Sequence, residues 1–424
     1  MVRKPAQPVA GPAGLLNRPL PEPPEGLRKG PLREEAWRSP LRSERTAALL
    51  GMWVGIAFAV CFVTGLTSHL IQNPPGWFGW PSRPVNLYRF TQGLHVTSGF
   101  AAIPLLLAKL WTVYPKLFEW PPARSVLHAI GRLSLLVLVG AAIFQLVTGV
   151  LNLARWYTPM PFFFTTTHYW TAWIAIGAIL VHVGSKLAII RVGLSGSAAE
   201  PVTEPDEGAG QHEAPAADVK PPAGVPAGAL SRRGFLTTVA ATSGVVALTT
   251  AGQTVPFLSA ITVFGQRDPD LGPQGLPVNK SAESAGVLET AVDPTYRLQL
   301  FGPRPQQLSL AVLLSLPQQT VTLPITCVEG WSATAEWSGV RMADLLDMMG
   351  LSEDAEVTVE SLQESGLYRQ AVLSPPHSRD PLTLLALRLN GEDLHIDHGY
   401  PARLIAPNRP GVLQTKWVSA VREL

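Results

Sequence analysis

The chain has 424 residues and only two cysteines. Cys327 lies in "ITCVEGWS", between a strand-like run and an acid, a glycine and a tryptophan. Cys61 lies in "GMWVGIAFAVCFVTGL", a stretch apolar enough for hydrocarbon, so the two are poor partners and no disulfide framework is expected. Cys327 is therefore a buried structural thiol, a nucleophile or a metal ligand. A nucleophile needs a base, and His377, His395 and His398 are available, although nothing in the sequence pairs one of them with Cys327. A thiolate is a soft ligand that suits a metal shuttling electrons. One cysteine cannot build a four-thiolate site, and no CxxC, HExxH or EF-hand pattern occurs in this region. A metal here must bring most of its ligands within an organic cofactor.

A second set of candidates consists of histidines in apolar surroundings, where an ionisable residue is costly unless used. His168 and His182 are 14 residues apart. On one helix that spacing is about 21 Å along the axis and within about 40° of the same face. Two ligands so placed suit two stacked b-type haems, each needing axial imidazoles. His95 matches the depth of His168, and His128 matches that of His182. His69 competes with His95 or His168 for a role.

The elements that must position these residues follow from composition. Mean hydropathy is +0.19 and charged residues make up 15%, against about 25% in soluble domains. The net charge of +2 excludes little, but no basic block with interleaved aromatics supports nucleic-acid binding. Apolar stretches at 46–68, 91–114, 126–150 and 169–190 each match the roughly 20 residues that cross a bilayer. Their connections are rich in Pro, Trp and Tyr, as interfacial anchors are. Arg33, Arg38, Arg42, Arg45, Lys116, Arg124, Lys186 and Arg191 fall on one side, against Arg83, Arg89 and Arg155 on the other. The excess predicts that this four-helix bundle begins and ends in the cytoplasm. Such a bundle resembles the four-helix cytochrome b membrane subunits of bacterial oxidoreductases, which use helix histidines for haem. Many of the 40 prolines fall in 1–40 and 199–227. The reading is a disordered cytoplasmic arm over 1–45, a cytochrome b-like bundle over 46–192 and a disordered linker over 193–230.

"SRRGFL" precedes a milder apolar stretch, about residues 234–254. It resembles the twin-arginine export signal, though in mid-chain, and makes 231–260 a fifth crossing that places the rest of the chain outside. With no A-x-A site evident, the segment is expected to stay as an anchor. From 270 to 424 the pattern is that of a mixed α+β domain. "YRLQLFG" and "QTVTLPITC" alternate like strands, and "PARLIAP" and "TKWVSAVREL" read as closing strands. Met342, Leu345, Leu346 and Met349 recur at helical spacing before Gly350, a C-cap residue.

The run from "YRLQLFG" through "DLLDMMG" and the closing segment, with its NG, HG-x-P-x-RL and K-W-V elements, resembles the molybdopterin-binding domain of the sulfite oxidase superfamily. It is nearest the branch of periplasmic methionine-sulfoxide reductases. The resemblance covers nearly all of 290–424 and implies that Cys327 ligates molybdenum and is the catalytic ligand, with a dithiolene supplying two further sulfurs. It implies that His398 and Arg403 hold the pterin and its phosphate, and that Arg409 and Lys416 lie in the cofactor-contacting tail. Asn279, and more weakly Lys280, occupy a position beside the pterin in relatives; Tyr368 and Arg369 are candidates for a substrate pocket.

These readings combine into a molybdenum oxidoreductase in a bacterial inner membrane, its molybdopterin domain extracytoplasmic. It transfers an oxygen atom to or from a small oxyanion or sulfoxide, and two haems b exchange electrons with a quinone or other carrier. The linker is expected to set how often the two parts meet. The alternative is a haem-containing anchor with a non-catalytic molybdopterin-binding-like module.

Overall fold

A computed structural model describes residues 39–115, 126–195, 231–263 and 271–424. The arm up to residue 38, nearly all of the linker, Lys116 and Arg124 lie outside the described residues, as does the side chain of His128.

Among the described residues, five helices are long and apolar enough to cross a membrane: α1 (Glu44–Gln72), α2 (Leu87–Val113), α3 (Val126–Leu153), α4 (Phe164–Ser195) and α5 (Arg232–Ala251). Helices α1, α3 and α4 run past the apolar windows that mark them, because the flanking residues keep helical hydrogen bonding after hydropathy falls, whereas α5 stops at Ala251, short of its window's end. Thus α4 starts at Phe164 and takes in the polar Thr165, Thr166 and Thr167. The hydroxyl-rich α5 satisfies its own side chains: Thr238, Thr242, Thr249 and Thr250 donate to carbonyls four residues back. Those bonds remove the desolvation cost of the hydroxyls in an apolar setting.

The chain divides into two compact units. One takes in Ala101–Phe144 and Thr171–Gly244 with the first residues up to Ala57. In it, the Arg42 guanidinium sits 4.4 Å over the Trp111 ring, and Trp111 packs on Phe235 at 5.4 Å. The other takes in Phe58–Phe100, Gln145–Trp170 and Val245–Leu424.

The C-terminal part of this second unit is built on two sheets. The first has the order β2-β1-β10-β5-β6: β2 (Gln306–Ser309), β1 (Arg297–Phe301), β10 (Val418–Glu423), β5 (Val357–Ser361) and β6 (Gln370–Leu373). The chain's last strand pairs parallel with β1, so the expected opening and closing strands lie side by side. The second has the order β3-β4-β7-β8: β3 (Gln319–Thr326), β4 (Ser332–Arg341), β7 (Leu384–Leu389) and β8 (Glu392–Asp393), with β9 (Arg403–Ile405) also on β7. Strand β3 alternates as its sequence demands, burying Val321, Leu323 and Ile325. Helix α6 (Met342–Met349) buries the four residues at helical spacing in the core of the first sheet, and Gly350 caps it at φ 77°.

The β3–β4 ladder runs from Gln319↔Gly339 to Thr326↔Ser332 and delivers Cys327 at its closed end. The register of β4 on β7 shifts between Ser338 and Gly339. A Cβ at Gly339 would lie 2.1 Å from the Leu385 carbonyl oxygen, so only glycine allows this close approach. Gly339→Ala is therefore expected to cost about 1–3 kcal/mol, read as a lower thermal midpoint of the full chain; an unchanged midpoint would contradict the packing.

Candidate functional site

Cys327 follows the last residue of β3, and the chain turns back at once. Its N–H donates to the Trp331 carbonyl at 2.9 Å, and the Gly330 N–H donates to the Cys327 carbonyl at 3.0 Å. Gly330 adopts φ 96°, a conformation that favours glycine, which is why the turn "CVEGW" carries one. The thiol is 2% exposed and is not in a disulfide.

A cleft opens beside it. Cys327, Trp331, Asn279, His398, Arg403 and Lys416 line it, between walls of Leu276, Pro277, Ile325 and Gly411. Cys327 and Trp331 come from the β3–β4 turn, Arg403 from the start of β9, and Lys416 from the segment entering β10. His398 ends a short helical turn closed by Gly399 at φ 112°. Cys327 and Trp331 thus meet Arg403, more than 70 positions on, because β4, β7 and β9 are hydrogen-bonded in one sheet.

The lining is cationic and buried. Arg403 is 2% exposed; one guanidinium nitrogen donates to the His398 carbonyl at 3.1 Å, the group stands 5.3 Å over Trp337, and Nε has no partner among the described residues. Burial pushes its pKa down to about 9, with Cys327 pulling the other way. Lys416 donates to the carbonyls of Lys280 and Asp397 at 2.7 and 2.8 Å. Burial and then Arg403 hold it well below the usual lysine value. His398 Nε2 donates to the Pro273 carbonyl at 2.7 Å, which makes Nε2 the N–H and leaves Nδ1 an acceptor. Burial, then Arg403, lower its pKa to about 4, so it is a neutral imidazole near pH 7. Buried positive charge without a carboxylate on the cleft wall is a receptor for an anion.

The other sequence candidates are placed elsewhere. Arg409 is buried off the lining, donating to the Val372 carbonyl at 2.9 Å. Lys280 turns its ammonium to Gln363. The Tyr368 hydroxyl donates to Gln72 at 3.2 Å, and Arg369 is exposed. His395 is exposed and accepts from the Asp397 N–H. His377 is 2% exposed with neither ring nitrogen partnered among the described residues.

Also in the second unit, the rings of His95 on α2 and His168 on α4 lie 6.4 Å apart between centroids. Both are tethered through Nδ1: His95 contacts the Cys61 carbonyl at 2.9 Å and Thr64 at 3.2 Å, and His168 contacts Thr148 at 3.1 Å. That leaves both Nε2 atoms for another role. His69 stacks on Tyr169 at 3.6 Å instead. His182 lies on α4 in the first unit.

Sequence reasoning missed Asn408. Its Oδ1 accepts from the Tyr88 N–H at 2.7 Å, its Nδ2 donates to Pro81 at 2.7 Å, and its carbonyl accepts from Trp80 at 2.8 Å. With Arg83 bidentate on Asp380 at 3.1 Å, it fastens the α1–α2 connection to the sheets. These contacts join the α1–α2 connection to the C-terminal part within one compact unit. The "PNRPG" turn was the available signal, but not its partner.

Residues 285–423 match the oxidoreductase molybdopterin binding domain. Mitochondrial sulfite oxidase of Mus musculus is 31% identical over 160 residues, covering 31% of this chain and 29% of that protein. Nitrate reductase [NADH] of Ulva prolifera is 27% identical over 157 residues, covering 30% of this chain and 18% of that protein. The solved sulfane dehydrogenase SoxCD from Paracoccus pantotrophus is 26% identical, with a TM-score of 0.29, over 31% of this chain and 40% of its own. The C-terminal part belongs to the molybdopterin-binding domains of sulfite oxidase type. The chain spans less than a third of the length of these two curated relatives.

The buried imidazole outside the cleft gives a pH test. Burial, then Arg409, lowers the His377 pKa from 6.5 to about 3, with Asp380 opposing. Below pH 6.5 the unfolded chain takes up a proton that the folded chain refuses, so stability present above pH 6.5 falls as pH drops towards 3. His377→Leu removes this loss and is expected to narrow the pH 8 to pH 5 difference in unfolding free energy by about 2 kcal/mol. Equal differences in variant and wild type would contradict it.

Proposed function

We propose that the protein is a membrane-anchored molybdenum oxidoreductase that exchanges an oxygen atom with a small oxyanion or sulfoxide. The observation that carries this reading is one soft sulfur, Cys327, on a cleft whose wall carries the buried Arg403 and Lys416 and no carboxylate. The donor set fits a pterin cofactor. Cys327 would be the protein's ligand to molybdenum, and the unpartnered Arg403 Nε and the Lys416 ammonium would face phosphate oxygens. Asn279 offers an amide and His398 a neutral imidazole to the pterin. Arg409, off the cleft wall, would support the tail that carries Lys416.

When bound, the cofactor supplies the metal on which an oxygen atom and two electrons are exchanged. With sulfite, water provides the oxygen, sulfate forms, and two protons and two electrons leave. Names among the matched proteins cover sulfite and nitrate, so the domain type admits oxidation and reduction of oxyanions.

The electrons would pass singly through haem b. An iron–imidazole bond of about 2 Å on each side, plus a ring radius of about 1 Å, puts bis-histidine ring centroids roughly 6 Å apart, and His95 and His168 stand at 6.4 Å. Gly65 and Gly149 flank these rings: a Cβ at Gly65 would come within 2.9 Å of His95. A second haem on His128 and His182, by sequence spacing, would continue the path to a quinone or other carrier. The domains follow the sequence reading, with α5 and its "SRRGFL" lead as a twin-arginine-like anchor and the molybdopterin domain on the outer face of a bacterial inner membrane.

The test is molybdenum and haem content of the purified full chain, followed by haem absorbance on adding sulfite or methionine sulfoxide. Molybdenum near one per chain and a redox response in the haem are expected. Cys327→Ser is expected to abolish the response and leave the haem spectrum intact. Protein without molybdenum, or a response that survives the substitution, overturns the reading.

A further inference from the structure

The turn that presents Cys327 is held from outside its own sheet. The buried Gln92 on α2, 5% exposed, donates through Nε2 to the Val328 carbonyl at 3.2 Å. Glu329 stands 3.6 Å from Arg155, just beyond α3, and accepts from the indole N–H of the cleft residue Trp331 at 3.1 Å. At Gly330 a Cβ would lie 2.9 Å from Val96 and 3.1 Å from Leu153, so the turn's backbone rests directly on α2 and α3. Behind it, the Ser332 N–H donates to the Gln253 carbonyl at 2.8 Å. A buried primary amide is costly unless bonded, so its position is specified rather than incidental. Gln92 stands one helical turn before His95, whose ring faces His168.

We infer that Gln92 is a positioning residue that locks the carbonyl next to Cys327 onto the helix bearing His95, fixing the spacing and the bonded route between the molybdenum-ligand turn and the histidine pair. The inference rests on the reading of both centres under Proposed function. It goes beyond that reading by assigning electron exchange to a fixed contact through one side chain. The bonded route is short: Cys327 to Val328, across one hydrogen bond to Gln92, and along three residues of α2 to His95. Removing the donor leaves the fold's other ties in place, since Arg83 still holds Asp380 and Asn408 still holds Tyr88.

The experiment uses the full chain in detergent, with Gln92→Leu set against wild type and Arg83→Ala. Arg83→Ala removes the ion pair with Asp380, a tie that touches no residue of the turn. In the first readout, a flash-generated flavin radical reduces the haem and its reoxidation is followed by absorbance, with no substrate needed. The wild type is expected to show a first-order phase independent of protein concentration. Gln92→Leu should slow it by about tenfold or more, since a misplacement of about 1 Å can cost about 100-fold, and Arg83→Ala should leave it near the wild-type rate. In the second readout, independent of turnover, hydrogen exchange across residues 325–332 should rise in Gln92→Leu alone, with haem spectrum and molybdenum content unchanged. Equal rates in Gln92→Leu and wild type, or equal slowing in Arg83→Ala, overturn the positioning role while the proposed function stands. A wild type that holds both metals yet shows no first-order phase overturns the electron-exchange reading itself, and this inference with it.

Discussion

Positive charge buried on a cleft wall that carries no carboxylate is the constraint around which the second unit is arranged. Arg403 at the start of β9 and Lys416 on the segment entering β10 are taken out of water in one cleft, and each satisfies part of its valence on backbone carbonyls. Carbonyl dipoles offset only part of the cost of desolvating a full charge. The fold accepts that cost where β9 and the approach to β10 meet the end of β3, and the same place carries the thiol. An anionic group seated there would stabilise the cations, and in turn the strands that hold them. On this account the cofactor is a structural partner of the domain as well as its chemistry.

The two proposed centres are rigid for the same reason. Cys327 is fixed by a hairpin whose turn is closed by two backbone hydrogen bonds and a left-handed glycine. His95 and His168 are fixed by Nδ1 contacts to a neighbouring carbonyl or hydroxyl, which set the ring orientation before any metal arrives. Small residues make room where rings or backbones approach closely, at Gly65 beside His95 and at Gly330 against Val96 and Leu153. Preorganisation of this kind limits the rearrangement that accompanies a change of charge at either centre.

What the sequence made legible follows from the range of each interaction. The five long helices are local events, written in runs of apolar residues, and only their ends were misjudged, as at Phe164, where hydropathy falls before hydrogen bonding does. Strand β3 and helix α6 were legible because one buried face imposes a period of two or of 3.6. The convergence of Asn279, Cys327, His398, Arg403 and Lys416 on one cleft was reachable only through family resemblance, since no local pattern encodes it. Arg409 shares their chemistry but is turned to Val372, a difference of side-chain direction that spacing does not reveal. His69 read as a rival ligand, yet it stacks on Tyr169, its neighbour in space and not in sequence. Gln92 and Asn408 were invisible for a related reason. Each is an ordinary amide whose meaning lies in a partner hundreds of residues away.

The central claim is a bond between the Cys327 sulfur and molybdenum. X-ray absorption at the molybdenum edge of the intact protein and of Cys327→Ser tests it most directly. The account predicts three sulfur neighbours in the wild type, two from the pterin and one from the protein, and the loss of one in the variant. A spectrum without molybdenum, or a sulfur count unchanged by the substitution, would contradict it.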